Sequence, residues 1–400
     1  MVGFGARLGH RRLARPAAPE GPLSDAALKL IEEAWAGLNP AKVLDTHVHI
    51  VGNGAGGTGC FVSMRMRSWS SPREYLKYTL YETAGGVEET EKCDAQYVDR
   101  LVSLLRNQKP HGRALIFAFD QFHDEQGKPV KEASEFFTPN DYVLGLAKKY
   151  PELFVACASI HPYRPDAVEA LESAVAQGAV AVKWLPNAMN IHPGNAKCDA
   201  FYEALKRLQV PLITHAGEEK AVHAEALQRL GNPLYLRRPL EHGVTVVVAH
   251  CAALGQNPDV DMGQSEPPQV DNFALFLRLM NEPTWNGLLY GDVSALTLVN
   301  RVGEPLKRVL CDGALQKRLI NGSDYPLPAI NVLMQTGVVA KKGFLTAVQR
   351  DVLNEIDRHD PFLFDFVMKR CLRWQQDGVS HRFADEMFRV RPDVFPRLRV

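Results

Sequence analysis

Residues 42–50 read KVLDTHVHI, a short run of apolar and β-branched residues interrupted by an aspartate and two histidines. Seven further runs of the same kind follow: RALIFAFD at 113–120, FVACASIH at 154–161, AVAVKWL at 179–185, VPLITHA at 210–216, TVVVAHC at 245–251, LLYGDVS at 288–294 and RLINGSD at 318–324. Near-continuous apolar runs of this length are what strands buried on both faces of a parallel sheet look like. Between them lie stretches such as DAVEALESAVAQ at 166–177 and DAFYEALKRL at 199–208, whose apolar residues recur at helical spacing. Eight cycles of strand and helix predict an α/β fold of the TIM-type (β/α)8 barrel class. An open doubly wound sheet competes with this reading, but no glycine-rich dinucleotide fingerprint follows the first strand.

Two stretches are too long for ordinary βα loops, residues 51–112 after the first strand and 252–287 after the sixth, and they are read as long insertions on the catalytic face. The first opens with VGNGAGGTGC, which lacks the ending of a phosphate-binding loop and reads as a lid hinge. Residues 1–40 are expected to form a basic tail and an N-terminal helix, 41–326 the barrel, and 327–400 a C-terminal helical extension packed on it. Residues 1–19 are Arg-rich and free of acids, which fits a flexible tail, with a mitochondrial leader as the alternative.

Lys+Arg and Asp+Glu both total 46, so no overall field draws the chain to nucleic acid or to an anionic membrane, and a small-molecule substrate is the expected partner. No apolar run approaches the length of a membrane span. The 7 cysteines are scattered and never spaced C-x-x-C, which suits buried thiols in a reducing, cytoplasmic compartment.

His47 and His49 stand two apart on the first strand and therefore project to one side, with Asp45 on the same face to orient one of them from behind. His215, His250 and Asp324 each follow an apolar run, at the ends of the fifth, sixth and eighth strands. Any one of them reads most simply as a satisfied core histidine or a helix-capping aspartate. A barrel, however, gathers all five strand-end positions around one axis, where catalytic groups of this fold collect.

With DTHVH, THAG, AHC and GSDYP in this order, the chain resembles the amidohydrolase superfamily, and within it the amidohydrolase-related branch, over residues 42–326. The resemblance implies that His47, His49, His215, His250 and Asp324 form a metal site, with Asp324 and His250 also catalytic. Lys183, on the fourth strand, is read as facing inward with Ala179, Ala181 and Leu185, opposite Val180, Val182 and Trp184. In binuclear members of the superfamily a lysine on this strand is carboxylated and bridges two ions, and VKWLPNA is similar to the stretch around that lysine in dihydroorotases. Other members use one ion, and Lys183 then reads as a cation beside Asp324 or beside a substrate carboxylate.

Imidazole and carboxylate donors suit a borderline divalent ion, zinc first. The expected reaction is hydrolysis of a small lactone, amide or ester. The alternatives are a mononuclear non-oxidative decarboxylase resembling aminocarboxymuconate semialdehyde decarboxylase, and a barrel that binds ligands without catalysis. His161, Arg164 and Asn187 are the expected substrate-binding residues, with His123, His192, Glu218 and Asp292 as further polar groups near strand ends. Barrels of this branch often associate, so a homo-oligomer is an open expectation.

Overall fold

The computed structural model describes residues 21–222 and 225–398. The basic N-terminal tail expected at residues 1–19 lies outside them.

All eight apolar runs are strands, though shorter than the runs themselves. They are β1 (Leu44–His49), β2 (Arg113–Phe117), β3 (Phe154–Ala158), β4 (Ala181–Trp184), β5 (Leu212–His215), β6 (Val246–Ala249), β7 (Leu289–Asp292) and β8 (Leu319–Ile320). They pair in chain order as one eight-stranded sheet, parallel throughout. Just beyond β8 the chain reaches back to β1: Thr46 N donates to Asn321 O (3.0 Å), Asp324 N to His47 O (2.8 Å) and His49 N to Tyr325 O (3.0 Å). These bonds nearly close the barrel and bring the Asp324 turn against the two histidines of β1.

The period-two alternation sorts each strand's side chains into two layers. Leu115, Phe117, Val155, Cys157, Ala181, Ile213, Val247, Tyr290 and Ile320 fill the barrel, while Ile116, Ala156, Val182, Trp184, Val246 and Val248 face the helices. Lys183 falls in the inward series, as expected. The alternation does not extend to residues 179 and 180, which precede β4: Val180 joins the barrel interior and Ala179 the outer layer. At the end of the barrel where the strands begin, Val390, Val394, Phe395 and Leu398 join the interior cluster, and Val390 N bonds Lys42 O.

The insertion after β1 contains helix α1 (Pro72–Ala84), which lies over the barrel mouth, and helix α2 (Cys93–Asn107). The glycine-rich run is tied down rather than hinged. The Asp94 carboxylate accepts Asn53 N (2.7 Å), Gly54 N (3.3 Å) and the Thr58 hydroxyl. A Cβ at Gly52 would come within 2.5 Å of that carboxylate, so glycine serves close approach here. The insertion after β6 forms a two-stranded ribbon (Gln256–Pro258 with Gln269–Asp271) and helix α3 (Asn272–Met280).

A third excursion, unanticipated, follows β2. Its strand Phe136–Phe137 pairs antiparallel with Phe61–Val62, joining two loops above the mouth. The C-terminal extension is only partly helical. Helices Ala347–His359 and Pro361–Cys371 are followed by a hairpin, Trp374–Gln376 with Val379–His381, within the extension expected to be helical. Trp35, from the N-terminal helix Asp25–Trp35, packs on Phe366 with ring centroids 4.5 Å apart.

Candidate active site

At the C-terminal ends of the strands lies a cavity of about 250 Å3, whose floor carries His47, His49, Lys183, His215, His250 and Asp324. The structure thus brings together all six residues expected at a metal site. Asp324 is the common neighbour: its carboxylate lies 3.1 Å from His49 Nε2, 3.4 Å from His47 Nε2 and 3.7 Å from His250 Nε2. Lys183 Nζ stands 3.3 Å from His47 Nε2 and 4.9 Å from the centre of the Phe117 ring.

The orientation of two of these imidazoles is set from behind by Asp292, at the end of β7. Its Oδ2 lies 2.9 Å from His47 Nδ1, and its Oδ1 accepts the backbone N–H groups of His250 (2.9 Å) and Ser294 (3.0 Å) as well as the Ser294 hydroxyl. Ser294 Oγ in turn lies 2.8 Å from His250 Nδ1. With Nδ1 occupied on both rings, the Nε2 atoms are left to face the cavity, the arrangement by which a carboxylate fixes the tautomer of a metal-binding histidine. Asp45, in contrast, does not touch an imidazole. Its carboxylate accepts His47 N (3.0 Å) and Ser323 N (2.9 Å), pinning β1 to the Asp324 turn.

The backbone is strained where it presents these groups. Asp324 has φ +63°, and His250, Cys251 and Ala252 follow one another at φ +55°, +50° and +52°. Non-glycine residues in this region cost about 1 to 3 kcal/mol each and persist only where their surroundings over-determine them. Here the bonds to His47 O and to Asp292 do so. Gly322 acts through its missing side chain: a Cβ there would stand 2.6 Å from the Cβ of His47, so glycine lets the turn pass close behind β1.

Burial sets the charge state. It pushes the imidazoles of His47 and His250 below their usual range and that of His215 down to about 4, and it lowers the Lys183 amine. For Asp324 and Asp292 burial works against ionisation, but His47 and His250 outweigh it and hold both carboxyls below the usual carboxylate range. Carboxylates that ionise beside positive charge, among imidazoles whose burial disfavours their carrying it, form a donor set in which a divalent cation would supply that charge. Donor atoms of His47, His49 and Asp324 all lie within 4.8 Å of one another. A second such group, His47, His250 and Asp292, coincides with the bonds that orient the rings. Among the described residues His215 Nε2 is buried without a hydrogen-bond partner, and Glu219 Oε2 lies 3.6 Å from it, just out of reach. A buried nitrogen left bare among these donors fits a site shaped for a metal ion.

The three expected substrate-binding residues are not among those lining the cavity. His161 is fully buried, with Nε2 at 2.9 Å from Met189 O and Nδ1 accepting Tyr163 N, and its ring packs on His123. Arg164 is engaged by Asp166 (2.7 Å) and Asp120 (3.5 Å). Asn187 donates to Gly217 O and Gln228 Oε1, holding the loop after β5. All three follow strand ends in sequence, but their loops turn outward before the side chains can reach the axis. The wall instead uses Glu219, Arg301 and Asn300, together with apolar residues from α1 and the loops after β2, β7 and β8. Glu218, the neighbour noted in the sequence, pairs with Lys220 on the outside. Nothing in the run EEK distinguishes the inward carboxylate from the outward one.

The family model described as Amidohydrolase matches residues 44–353, well over half of the chain. No curated protein matches the sequence. Among solved structures, the chain is similar to an uncharacterized TIM-barrel protein from Bordetella bronchiseptica (14% identity, 78% of this chain and 99% of that one, TM-score 0.46). It is also similar to a probable 2-pyrone-4,6-dicarboxylic acid hydrolase from Acinetobacter baumannii (15%, 82% and 99%, TM-score 0.45). A third is a 2,6-dihydroxybenzoate decarboxylase from Rhizobium (13%, 81% and 98%, TM-score 0.42). From the span of the family match, together with a barrel that carries its histidines and aspartate at the strand ends, the chain belongs to the amidohydrolase family.

Proposed function

We propose that the chain is a metal-dependent hydrolase of a small lactone, amide or ester, with zinc the ion that best suits its donors. The observation that carries this reading is the convergence of Asp324 on three Nε2 atoms, with a buried His215 Nε2 that has no hydrogen-bond partner among the described residues. His47, His49 and Asp324 would hold one ion; His215 and His250, with Lys183 in carboxylated form, would hold a second. Bound there, a divalent ion supplies a Lewis acid for the scissile carbonyl and lowers the pKa of water from about 15.7 toward about 7. The rest falls to the protein. Asp324 accepts the proton of the attacking water and returns it to the leaving group. Asp292 and Ser294 keep the rings of His47 and His250 turned, and the apolar wall limits bulk water.

Elemental analysis of protein reconstituted with zinc and bicarbonate tests this. Two ions per chain are expected, falling to one in Lys183→Ala. One ion in both proteins would remove the bridging role of Lys183 and leave a mononuclear hydrolase and a decarboxylase of a small carboxylic acid to be separated by a screen for CO2 release. No bound metal would refute the reading altogether.

Gly322→Ala provides a second check, because the added methyl must displace His47. Zinc affinity should fall about 10- to 100-fold, as it does when groups behind metal ligands are disturbed. An unchanged affinity in competition with a chelating dye would show that β1 yields without moving the ligand.

A further inference from the structure

The cavity wall is mainly apolar, with Leu80, Phe119, Phe136, Leu298 and Ile330 among its members, and it carries few charges. Most of these are accounted for. Lys77 Nζ donates to Lys220 O (2.8 Å), Lys220 pairs with Glu218 (3.3 Å), and Lys183 stands against His47. Asp324 is engaged by histidines, and Glu219 accepts the backbone N–H groups of Ala221 and Val222. Arg301 differs. It lines the cavity from the loop after β7, and its buried Nε has no hydrogen-bond partner among the described residues.

A guanidinium cannot shed its proton inside a protein. Burying it without a counterion is costly, and the cost is recovered when a planar anion meets the fork with two parallel hydrogen bonds. Asp324, Glu219, Asp292 and Glu218 act on Arg301 as charges at a distance, and among the described residues none of them bonds its Nε. An anion arriving in the cavity would therefore find this cation uncommitted, and apolar walls for whatever it is attached to.

We infer that Arg301 is a specificity-determining residue, the anchor for a single carboxylate on a substrate whose remainder is apolar. A chain or ring bearing one acid group satisfies both the lone fork and the wall. A second carboxylate on the part of the substrate that lies along the apolar wall would stand against hydrocarbon, which is unfavourable. This inference rests on the cavity being the substrate site of the proposed hydrolase.

The test is calorimetric titration of octanoate and of its uncharged analogue octanamide into the full chain, both zinc-reconstituted and EDTA-treated. The wild type is compared with Arg301→Gln and Arg301→Lys, their folding checked by circular dichroism. Octanoate should bind the wild type at least about tenfold tighter than octanamide in both metal states, as expected of a charge-assisted fork. Arg301→Gln should erase that preference. Arg301→Lys, which keeps the charge but loses the fork, should reduce it severalfold, and it carries the test if the glutamine variant does not fold. A preference that survives unchanged in either folded variant overturns the assignment, as does its absence from the EDTA-treated wild type. Failure of the metal reading is seen separately, as no zinc by elemental analysis while the Arg301-dependent preference persists.

Discussion

Asp324→Asn is expected to yield a folded protein that keeps its metal but turns substrate over about 100- to 10,000-fold more slowly, the usual contribution of a positioned acid-base group. Asparagine copies the shape of the carboxyl, so the turn at φ +63° and its backbone bond to His47 O can survive. One oxygen remains to face His47 and His49. What is lost is the capacity to take a proton: an amide does not accept one at neutral pH, and among the described residues no other carboxylate pairs with the Nε2 atoms of His47 and His49 to replace it. The measurement is kcat on the best ester, lactone or amide found by screening, with zinc content determined on the same sample. Wild-type turnover would remove Asp324 from the chemistry. Loss of zinc along with activity would make it chiefly a ligand.

Asp292→Ala should have the largest effect on stability. The side chain is fully buried and serves His47 Nδ1, two backbone N–H groups and a hydroxyl together. Removing it strands those donors without water. Breaking a buried charged cluster in this way costs about 3 to 5 kcal/mol, a large share of the about 5 to 15 kcal/mol that holds a typical domain folded. Urea denaturation reads the loss directly, and a stability within about 0.5 kcal/mol of wild type, the range of ordinary surface changes, would contradict the account. Asp292→Asn separates the structural part from the functional one. It retains an oxygen for the N–H groups of His250 and Ser294, but it turns an amide NH2 toward His47 Nδ1. The ring must then carry its proton on Nε2, where the metal is to bind. This variant should fold and still lose zinc affinity about 10- to 100-fold.

These two aspartates mark how far the sequence could be read. Asp324 was legible because it ends an apolar run and belongs to a set of five whose members make sense only together. Lys183 was legible because the alternation within AVKW leaves one inward series. Asp292 was noted only as a polar residue near a strand end, since its function lies in contacts with residues 40 or more positions away. Arg301 and Glu219 were missed because sequence does not tell which side of a loop faces the axis. His161, Arg164 and Asn187 illustrate the converse: each sits a few residues past a strand end, and each is turned toward a neighbouring loop. The hairpin at 374–381 was hidden for a related reason, as its strands are too short for periodicity to register.

The apolar residues between 390 and 398, which complete the interior where the strands begin, also bear on how the molecule is made. β1 is the first barrel strand to be synthesised, yet Leu44 shares its cluster with Val390, Val394, Phe395 and Leu398, close to the last residues described. During translation the end of the barrel where the strands begin thus stays open until residues 390–398 have left the ribosome. Contacts of such long sequence separation slow folding and leave apolar surface exposed meanwhile. The half-built barrel is therefore the species most in need of a chaperone, and a chain stopped short of residue 390 would remain in that condition.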